Sequence, residues 1–255
     1  MSFPNIDQVS VYIERILMDY TLSREKLEQQ YTWKRNDSRI VIFTKGIKVM
    51  NGIQIGVAHL QKDLRYDKWW KDRFPNNTIT SENKKLLRSE FDNLLRGALI
   101  NDVYSIFEST IRILAHKFSS EMFPDPTIMF SKIYPKFLKK LELEKFIPLL
   151  DIWSNIRNSI HNDGMFIPPK SKAKDVDIPY DGETYMFRVG KPIIYAGWKD
   201  LCELSYELGK VTNQIITSSK ISSIPVIEEP GSKYWDLKNM DSEELKKIYR
   251  EDSEE

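Results

Sequence analysis

One short stretch of the chain gathers a guanidinium, an imidazole and several side-chain amides more closely than any other part of the sequence. It covers residues 155–164 and reads NIRNSIHNDG, with Arg157 and His161 four residues apart. On a helix this spacing puts the two side chains one turn apart on the same face. A guanidinium is planar and presents several hydrogen-bond donors in a fixed arrangement that suits an anion. An imidazole can accept or donate a proton near neutral pH. Proton transfer beside a bound anion is therefore the chemistry that these residues could perform.

The preceding residues predict the helix that must hold this stretch. Apolar side chains recur with helical spacing between Leu143 and Ile160, at Phe146, Leu149, Leu150, Trp153, Ile156 and Ile160. Asn162, Asp163 and Gly164 then form a stop signal, in which Gly164 can take a left-handed backbone conformation. Arg157 and His161 are therefore expected at the C-terminal end of a helix, where a histidine is accessible and the helix dipole favours positive charge.

This stretch resembles the HEPN superfamily, whose ribonuclease members carry an Arg, a polar residue and a His late in one helix of a four-helix bundle. Arg157, Asn158 and His161 match these three elements, with three residues between Arg157 and His161 where the family usually has four to six. Upstream, residues 102–112 resemble the long helix that packs against the motif helix in such proteins, with Glu108 as its acidic residue. The likeness covers the middle of the chain and, less closely, the helix after Trp198.

The resemblance implies a mainly α fold, an HEPN-like antiparallel helical bundle, and metal-independent cleavage of RNA by attack of the neighbouring 2′-hydroxyl on phosphorus. It makes Arg157, Asn158 and His161 catalytic, with Glu108, Asn162 and Asp163 in support. It further implies RNA as the substrate, a homodimer in which two motif helices share a cleft, a regulatory or antitoxin partner, and a toxin or defence context. No cofactor or metal ion is expected for this chemistry.

The same residues allow a second interpretation. An Arg and a His at this spacing before Asn-Asp-Gly also form an ordinary helix C-terminus, where positive side chains interact favourably with the last carbonyls. The chain would then be a non-catalytic HEPN-like binding or dimerisation module. The two interpretations differ in whether Arg157 and His161 face an open basic cleft or an acidic neighbour.

Composition bounds the class of protein. The chain has 255 residues, 41% hydrophobic and 29% charged, with a formal net charge of +1, which is ordinary for a folded globular protein and makes any RNA-binding surface a local patch. Cys202 is the single cysteine and there are three histidines, so neither a disulfide nor an obvious metal site is expected. Acidic residues near the N-terminus and the lack of an apolar run of transmembrane length predict a cytoplasmic protein without a membrane segment.

Two basic clusters are the candidate RNA-binding surfaces. The first is Lys136, Lys139 and Lys140, and the second is Lys170 and Lys172 in the loop after Gly164. A run of charges is also commonly a solvated face without a ligand. A third stretch, residues 62–74, mixes cations with tryptophans at positions 69 and 70, which fits either base stacking or an amphipathic helix with buried tryptophans.

Patterns along the chain divide it into three regions. Residues 1–75 form an N-terminal helical region with a small β-hairpin, because Asn51 and Gly52 separate two runs of β-branched residues within 39–58; a helix over 47–67 is the alternative. Residues 76–220 form the bundle, with helices over 81–118, 143–161 and 198–218 packed together and a hairpin insertion near 184–195 around Gly190. Residues 221–255 form a C-terminal extension with a short helix from Asp241 and an acidic tail.

Overall fold

The fold is mainly helical, with one small antiparallel sheet, in a computed structural model that describes residues 6–76, 79–124, 128–169 and 174–230. A short 3-10 turn, Glu144–Phe146, precedes the sixth helix. The elements in chain order are α1 (Ile6–Gln30), α2 (Ser38–Lys62), α3 (Asp67–Arg73), α4 (Ser81–Phe118), α5 (Phe130–Lys140), α6 (Ile147–Ile160), β1 (Val176–Tyr180), β2 (Glu183–Phe187), α7 (Trp198–Thr217) and α8 (Ser219–Ser222). The predicted helical class is therefore confirmed.

The long helix α4 is the central helix of the fold. It runs for 38 residues through Gly97 without a break, about 57 Å at the rise of an α-helix. Its N-terminus is capped by Thr80, whose side-chain oxygen accepts a hydrogen bond from the backbone N–H of Asn83 at 3.2 Å. The prediction that the helices over 81–118, 143–161 and 198–218 pack together is confirmed, because α4, α6 and α7 contact one another in all three pairs.

Two neighbours of α4 run antiparallel to it. Gly56 of α2 lies against Leu95, and Ile42 near the other end of α2 shares a small cavity with Phe107.

The helix α5 runs in the same direction as α4, since Phe130 at the beginning of α5 contacts Tyr104 and Phe137 further along contacts Phe118. A short connection then turns the chain back into α6, which brings Arg157 to Tyr104. Helices α2 and α6 are thus the antiparallel partners.

The helix α7 instead runs parallel to α4. The indole N–H of Trp198, at the beginning of α7, donates to the carboxylate of Asp92 at 2.7 Å. Leu208, further along α7, lies at the same small cavity as Phe107. The expectation of a wholly antiparallel bundle is therefore wrong for α4 and α7.

The β-hairpin expected within residues 39–58 is wrong, because these residues belong to α2. The helix starts at a strong N-cap, the buried carboxylate of Asp37, which accepts a hydrogen bond from the backbone N–H of Arg39 at 3.0 Å. It packs against both α1 and α4, so apolar residues are needed on more than one of its faces and their pattern resembles that of a strand. Asn51 and Gly52 lie on its exposed side, where packing on the other faces overrides their turn preference. The alternative helix over 47–67 is nearer to the structure.

By length and composition, α2 is also the one helix in the described parts of the chain that could cross a membrane. In this fold it lies between α1 and α4, with Met50, Ile53 and Val57 buried. By this criterion the expected lack of a stretch of transmembrane length does not hold for α2. A cytoplasmic protein without a membrane segment stays a prediction.

The hairpin insertion lies earlier in the chain than predicted. Strands β1 and β2 pair antiparallel with Ile178 opposite Tyr185, and the turn between them has positive φ at Asp181 (49°) and Gly182 (80°). The predicted hairpin over 184–195 shares only its first strand with β2. Pro192, expected in its second strand, pairs with Met165 in an isolated bridge, since proline has no N–H for a ladder.

Residues 221–230 fasten the end of the described chain to the beginning of α2. The fully buried guanidinium of Arg39 binds the Asp37 carboxylate through Nε at 2.8 Å and Nη2 at 2.7 Å. Its Nη1 donates to the backbone carbonyls of Ile221 at 3.0 Å and Ile224 at 2.7 Å. The C-terminal extension is therefore anchored at its start. The predicted helix from Asp241 and the acidic tail lie outside the described residues.

Gly209 marks a close contact between α7 and α1. A Cβ at this position would lie 2.3 Å from the ring of Tyr20, which is held in place because its hydroxyl donates to the carbonyl of Ser205 at 2.9 Å. We expect Gly209→Ala to lower the free energy of unfolding by about 1–3 kcal/mol through overpacking. Gly52→Ala is the matched control, because its Cβ would meet no described atom within 4 Å; it should be neutral or stabilising by up to about 1 kcal/mol. Urea denaturation measures both, and equal effects would contradict the Tyr20 contact.

Candidate functional site

The helix α6 presents the Arg157–His161 pair. Its buried residues, which pack it into the bundle, are Leu149, Leu150, Ile152, Trp153, Ile156 and Ser159. The indole N–H of Trp153 also donates to the carbonyl of Leu204 on α7 at 3.3 Å. By contrast Asn158 and His161 are exposed and Arg157 is half-buried. A rigid helix therefore holds the pair at the edge of the bundle.

The end of α6 forms as the Asn-Asp-Gly sequence predicts. The carbonyl of Ser159 accepts hydrogen bonds from the backbone N–H groups of Asn162 and Gly164, both at 2.9 Å. Asp163 and Gly164 have positive φ, 53° and 79°. The side-chain amide of Asn162 donates to the carbonyl of Asn158 at 2.8 Å. Asn162 and Asp163 thus shape the turn beside His161.

The Arg157 guanidinium lies against an aromatic ring. Its Cζ is 5.3 Å from the centre of the Tyr104 ring on α4, which is within the range of a cation–π contact. Its Nε is buried and meets no hydrogen-bond acceptor among the residues described, and none of their carboxylates forms a salt bridge with it. Buried donors without partners are uncommon in folded proteins. The Arg157 side chain forms no other hydrogen bond with a described residue, so its Nη groups, rather than the buried Nε, could bind an anionic ligand.

Glu108, predicted to support the site, is paired with Arg112. The two side chains form an i, i+4 salt bridge on α4 at 2.6 Å, as their spacing indicates. Arg112 also donates to the carbonyl of Ile128 at 2.6 Å, which fixes it beside α5. Burial is the main cause that raises the pKa of the Tyr104 phenol, and the Glu108 carboxylate adds to this effect. Its influence on Arg157 is therefore indirect.

Two hydrogen-bonded pairs of residues on and beside α6 were not predicted from the sequence. The hydroxyls of Tyr104 and Ser154 are hydrogen-bonded at 2.7 Å, and the Tyr134 hydroxyl donates to the carboxylate of Asp151. Asp151 and Ser154 could have been predicted from the sequence. With Arg157 and His161 they follow one another at helical spacings of three, three and four. This spacing places the four polar side chains along one side of α6. The two tyrosines come from other helices, and only the fold brings them there.

Both tyrosines keep their protons at neutral pH. Burial raises the pKa of Tyr104 to about 12, although the Ser154 hydrogen bond and the nearby positive charge of Arg157 oppose this. Burial and the hydrogen bond to Asp151 likewise raise the pKa of Tyr134. Neither phenol can therefore serve as a base. Tyr104 is suited instead to orient Arg157 with its ring and Ser154 with its hydroxyl.

The first basic cluster lies at the far end of α6 from the Arg157–His161 pair. Lys136, Lys139 and Lys140 are exposed on α5. Because α5 leads through a short connection into the beginning of α6, its last two lysines lie towards that end, whereas His161 follows the other end of a helix of 14 residues, about 21 Å long. The second predicted cluster, Lys170 and Lys172, lies outside the described residues.

Two other stretches with chemistry-bearing side chains are structural. Arg112 and His116 repeat the spacing of Arg157 and His161, but Arg112 binds Glu108 and the His116 ring Nδ1 lies 2.9 Å from the carbonyl oxygen of Phe123. In residues 62–74, Trp70 is buried and its indole N–H donates to the carbonyl of Leu64 at 3.1 Å. The structure therefore favours the amphipathic-helix interpretation of that stretch over base stacking.

Metal chemistry has no candidate site in the described structure. Within residues 6–230, leaving aside 77–78, 125–127 and 170–173, no three His, Cys, Asp or Glu side chains are grouped so that they could hold a metal ion.

Comparison of the chain with protein-family models, with curated proteins and with solved structures gives no match in any of the three. The nature of the site is therefore argued from its own residues.

Proposed function

We propose that the chain is an HEPN-like, metal-independent endoribonuclease with Arg157, Asn158 and His161 as its catalytic residues. The observation that carries the proposal is the Arg157 guanidinium, which has no acidic partner among the described residues although Glu108 lies one turn beyond Tyr104 on the neighbouring helix. Glu108 is already paired with Arg112. Donors left free beside an exposed histidine suit phosphoryl oxygens.

In the proposed reaction the 2′-hydroxyl of RNA attacks the adjacent phosphorus and the bond to the 5′-oxygen breaks. The His161 imidazole takes the proton of the attacking hydroxyl or gives one to the leaving oxygen. Arg157 binds the phosphoryl oxygens, on which negative charge builds up in the transition state. Asn158, exposed next to Arg157, orients the phosphate or the imidazole. The products are a 2′,3′-cyclic phosphate and a 5′-hydroxyl.

A homodimer belongs to the same proposal, because this reaction has two proton transfers and each chain supplies one histidine in the motif. Helix α1 offers a surface for association: Val11, Met18 and Leu22 are 63%, 64% and 52% exposed and follow one another at helical spacing. Light scattering at micromolar concentration is expected to give the mass of a dimer, and Met18→Glu to shift it towards the monomer. A monomer for the unaltered protein would contradict the proposal of a shared site.

The second candidate function is a non-catalytic HEPN-like binding or dimerisation module. It is favoured by the separation between the α5 lysines and the Arg157–His161 pair, because a cleft for RNA would be expected to bring positive charge and catalytic groups together. An RNA substrate, a regulatory or antitoxin partner and a toxin or defence context have the resemblance as their only support.

The two functions are separated by incubating the purified protein with mixed RNA in EDTA. The nuclease is expected to cut RNA under these conditions and to leave 2′,3′-cyclic phosphate ends, whereas the binding module leaves the RNA intact. Cleavage that disappears in EDTA would instead point to a metal-dependent contaminant or mechanism. Absence of cleavage across several structured and unstructured RNAs would leave only the binding module.

A further inference from the structure

A cavity of about 300 Å³ lies between α1, the β-hairpin and α7, with none of its walls formed by α6. This volume is at the lower end of the range for small-molecule sites. Its walls hold four tyrosine rings and four carboxylates. Arg15 is the one basic residue among those that line it. The cavity is therefore both aromatic and acidic.

One ring of this cavity already binds cations from the chain itself. The guanidinium Cζ of Arg15 lies 4.1 Å from the centre of the Tyr206 ring, and the ammonium of Lys210 lies 4.4 Å from it. Both distances are within the range of cation–π contacts, in which a positive group is attracted to the negative face of an aromatic ring. No cation of a described residue is stacked on the rings of Tyr12, Tyr180 and Tyr185, although the Tyr185 ring packs against that of Tyr195 at 4.9 Å between ring centres.

The carboxylates at the cavity are only partly neutralised. Glu207 pairs with Lys210 at 2.6 Å, and Glu203 lies 3.9 Å from the ammonium of Lys199. Asp181 and Glu183 at the hairpin turn form no salt bridge with any described residue. They therefore leave uncompensated negative charge at the hairpin side of the cavity.

The rings remain neutral beside these acids. Burial, together with neighbouring carboxylates, raises the pKa values of Tyr180 and Tyr185 to about 12. Burial similarly raises the pKa of the Cys202 thiol to about 12, so the cavity holds no reactive thiolate at neutral pH. The cavity therefore favours non-covalent binding of a positively charged ligand.

We propose that this cavity is a binding site for a small aliphatic di- or polyamine. Neutral tyrosine rings provide apolar walls for the methylene chain and negative faces for an ammonium group. Asp181 and Glu183 can pair with a second ammonium, which a monoamine lacks, while an anion would be repelled by the same groups. The proposal is independent of RNA cleavage, because it involves other residues on other elements.

Calorimetric titration of the full chain with cadaverine tests the proposal, with pentanediol as the neutral ligand of similar length. Cadaverine is expected to bind and pentanediol to give no measurable heat. Glu183→Gln and Asp181→Asn each remove one charge with little change of shape, and asparagine tolerates the positive φ of residue 181. Each should weaken cadaverine binding, as should Tyr180→Leu, the latter by roughly two- to thirtyfold for one lost cation–π contact.

Glu90→Gln is the matched control, because Glu90 is an exposed acid on α4 away from the cavity. It should leave the affinity for cadaverine unchanged. Circular dichroism of each variant identifies any that fails to fold. If Tyr180→Leu fails to fold, the two charge-removing variants still test the proposal. No heat with cadaverine, equal binding of pentanediol, or equal loss of affinity in Glu90→Gln and Glu183→Gln would each overturn the proposal.

Discussion

Replacing His161 by alanine is expected to slow RNA cleavage by about 10²- to 10⁴-fold, the usual contribution of a group that transfers a proton in the transition state. The imidazole is exposed at the end of α6, so its loss should barely affect folding. Groups at such helix ends contribute about 0.3–1 kcal/mol to stability through the dipole. Cleavage rates in EDTA, measured beside thermal melting curves, separate the two effects. A variant that melts like the unaltered protein and no longer cuts RNA is the expected result.

Arg157 should respond in the same direction. Arg157→Lys keeps the positive charge but loses the two-pronged donor geometry, and Arg157→Ala loses both, so cleavage should fall in the first and fall further in the second. Because no described carboxylate pairs with Arg157, its removal strands no buried charge. The expected loss of stability in Arg157→Ala is about 0.5–1 kcal/mol, from the contact with Tyr104. A loss of about 3–5 kcal/mol would instead reveal a buried ion pair and a structural role.

The chain supplies its own control in Arg112 and His116, which have the same spacing. His116→Ala removes an imidazole that lies against the carbonyl of Phe123 and has no proposed part in catalysis. Cleavage by this variant should match that of the unaltered protein. If His116→Ala and His161→Ala reduce cleavage equally, the loss reflects damage to the fold and the proposed site is wrong.

The parts of the fold that sequence could predict are those whose helices bury one clear stripe. Helices α4, α6 and α7 follow from the spacing of their apolar residues, and the end of α6 follows from Asn162, Asp163 and Gly164. The helix α2 did not follow, because it is packed on two sides and its sequence lacks a single apolar stripe. Asn51 and Gly52 then favoured a turn that tertiary packing overrides.

The residues of the candidate site also divide into those that could be predicted from the sequence and those that could not. Arg157, Asn158 and His161 stand close together in the sequence and could be found from it. Tyr104 and Tyr134 could not, because each reaches α6 from a different helix and tyrosine at an amphipathic position is ordinarily part of the core. The pairing of Glu108 with Arg112 was foreseeable from their spacing. What sequence could not show is that this pairing leaves Arg157 without an acidic partner in the described chain.

Arg39→Ala is expected to lower the free energy of unfolding by about 3–5 kcal/mol. The side chain is fully buried, with its guanidinium stacked 3.8 Å from the centre of the Trp33 ring. Its removal leaves the Asp37 carboxylate, only 2% exposed, without a cation. Two backbone carbonyls, those of Ile221 and Ile224, lose their hydrogen bonds as well. Urea denaturation followed by circular dichroism measures the change.

The comparison with Arg35→Ala isolates the buried pair from any general effect of losing an arginine. Arg35 is exposed four residues earlier, so its replacement should change the free energy of unfolding by no more than about 0.5 kcal/mol. A double variant, Asp37→Asn with Arg39→Met, removes both charges and should lose less stability than the sum of the two single variants, because neither charge is then left buried alone. Additive losses, or an Arg39→Ala protein as stable as Arg35→Ala, would show that this pair does not hold residues 221–230 to the start of α2.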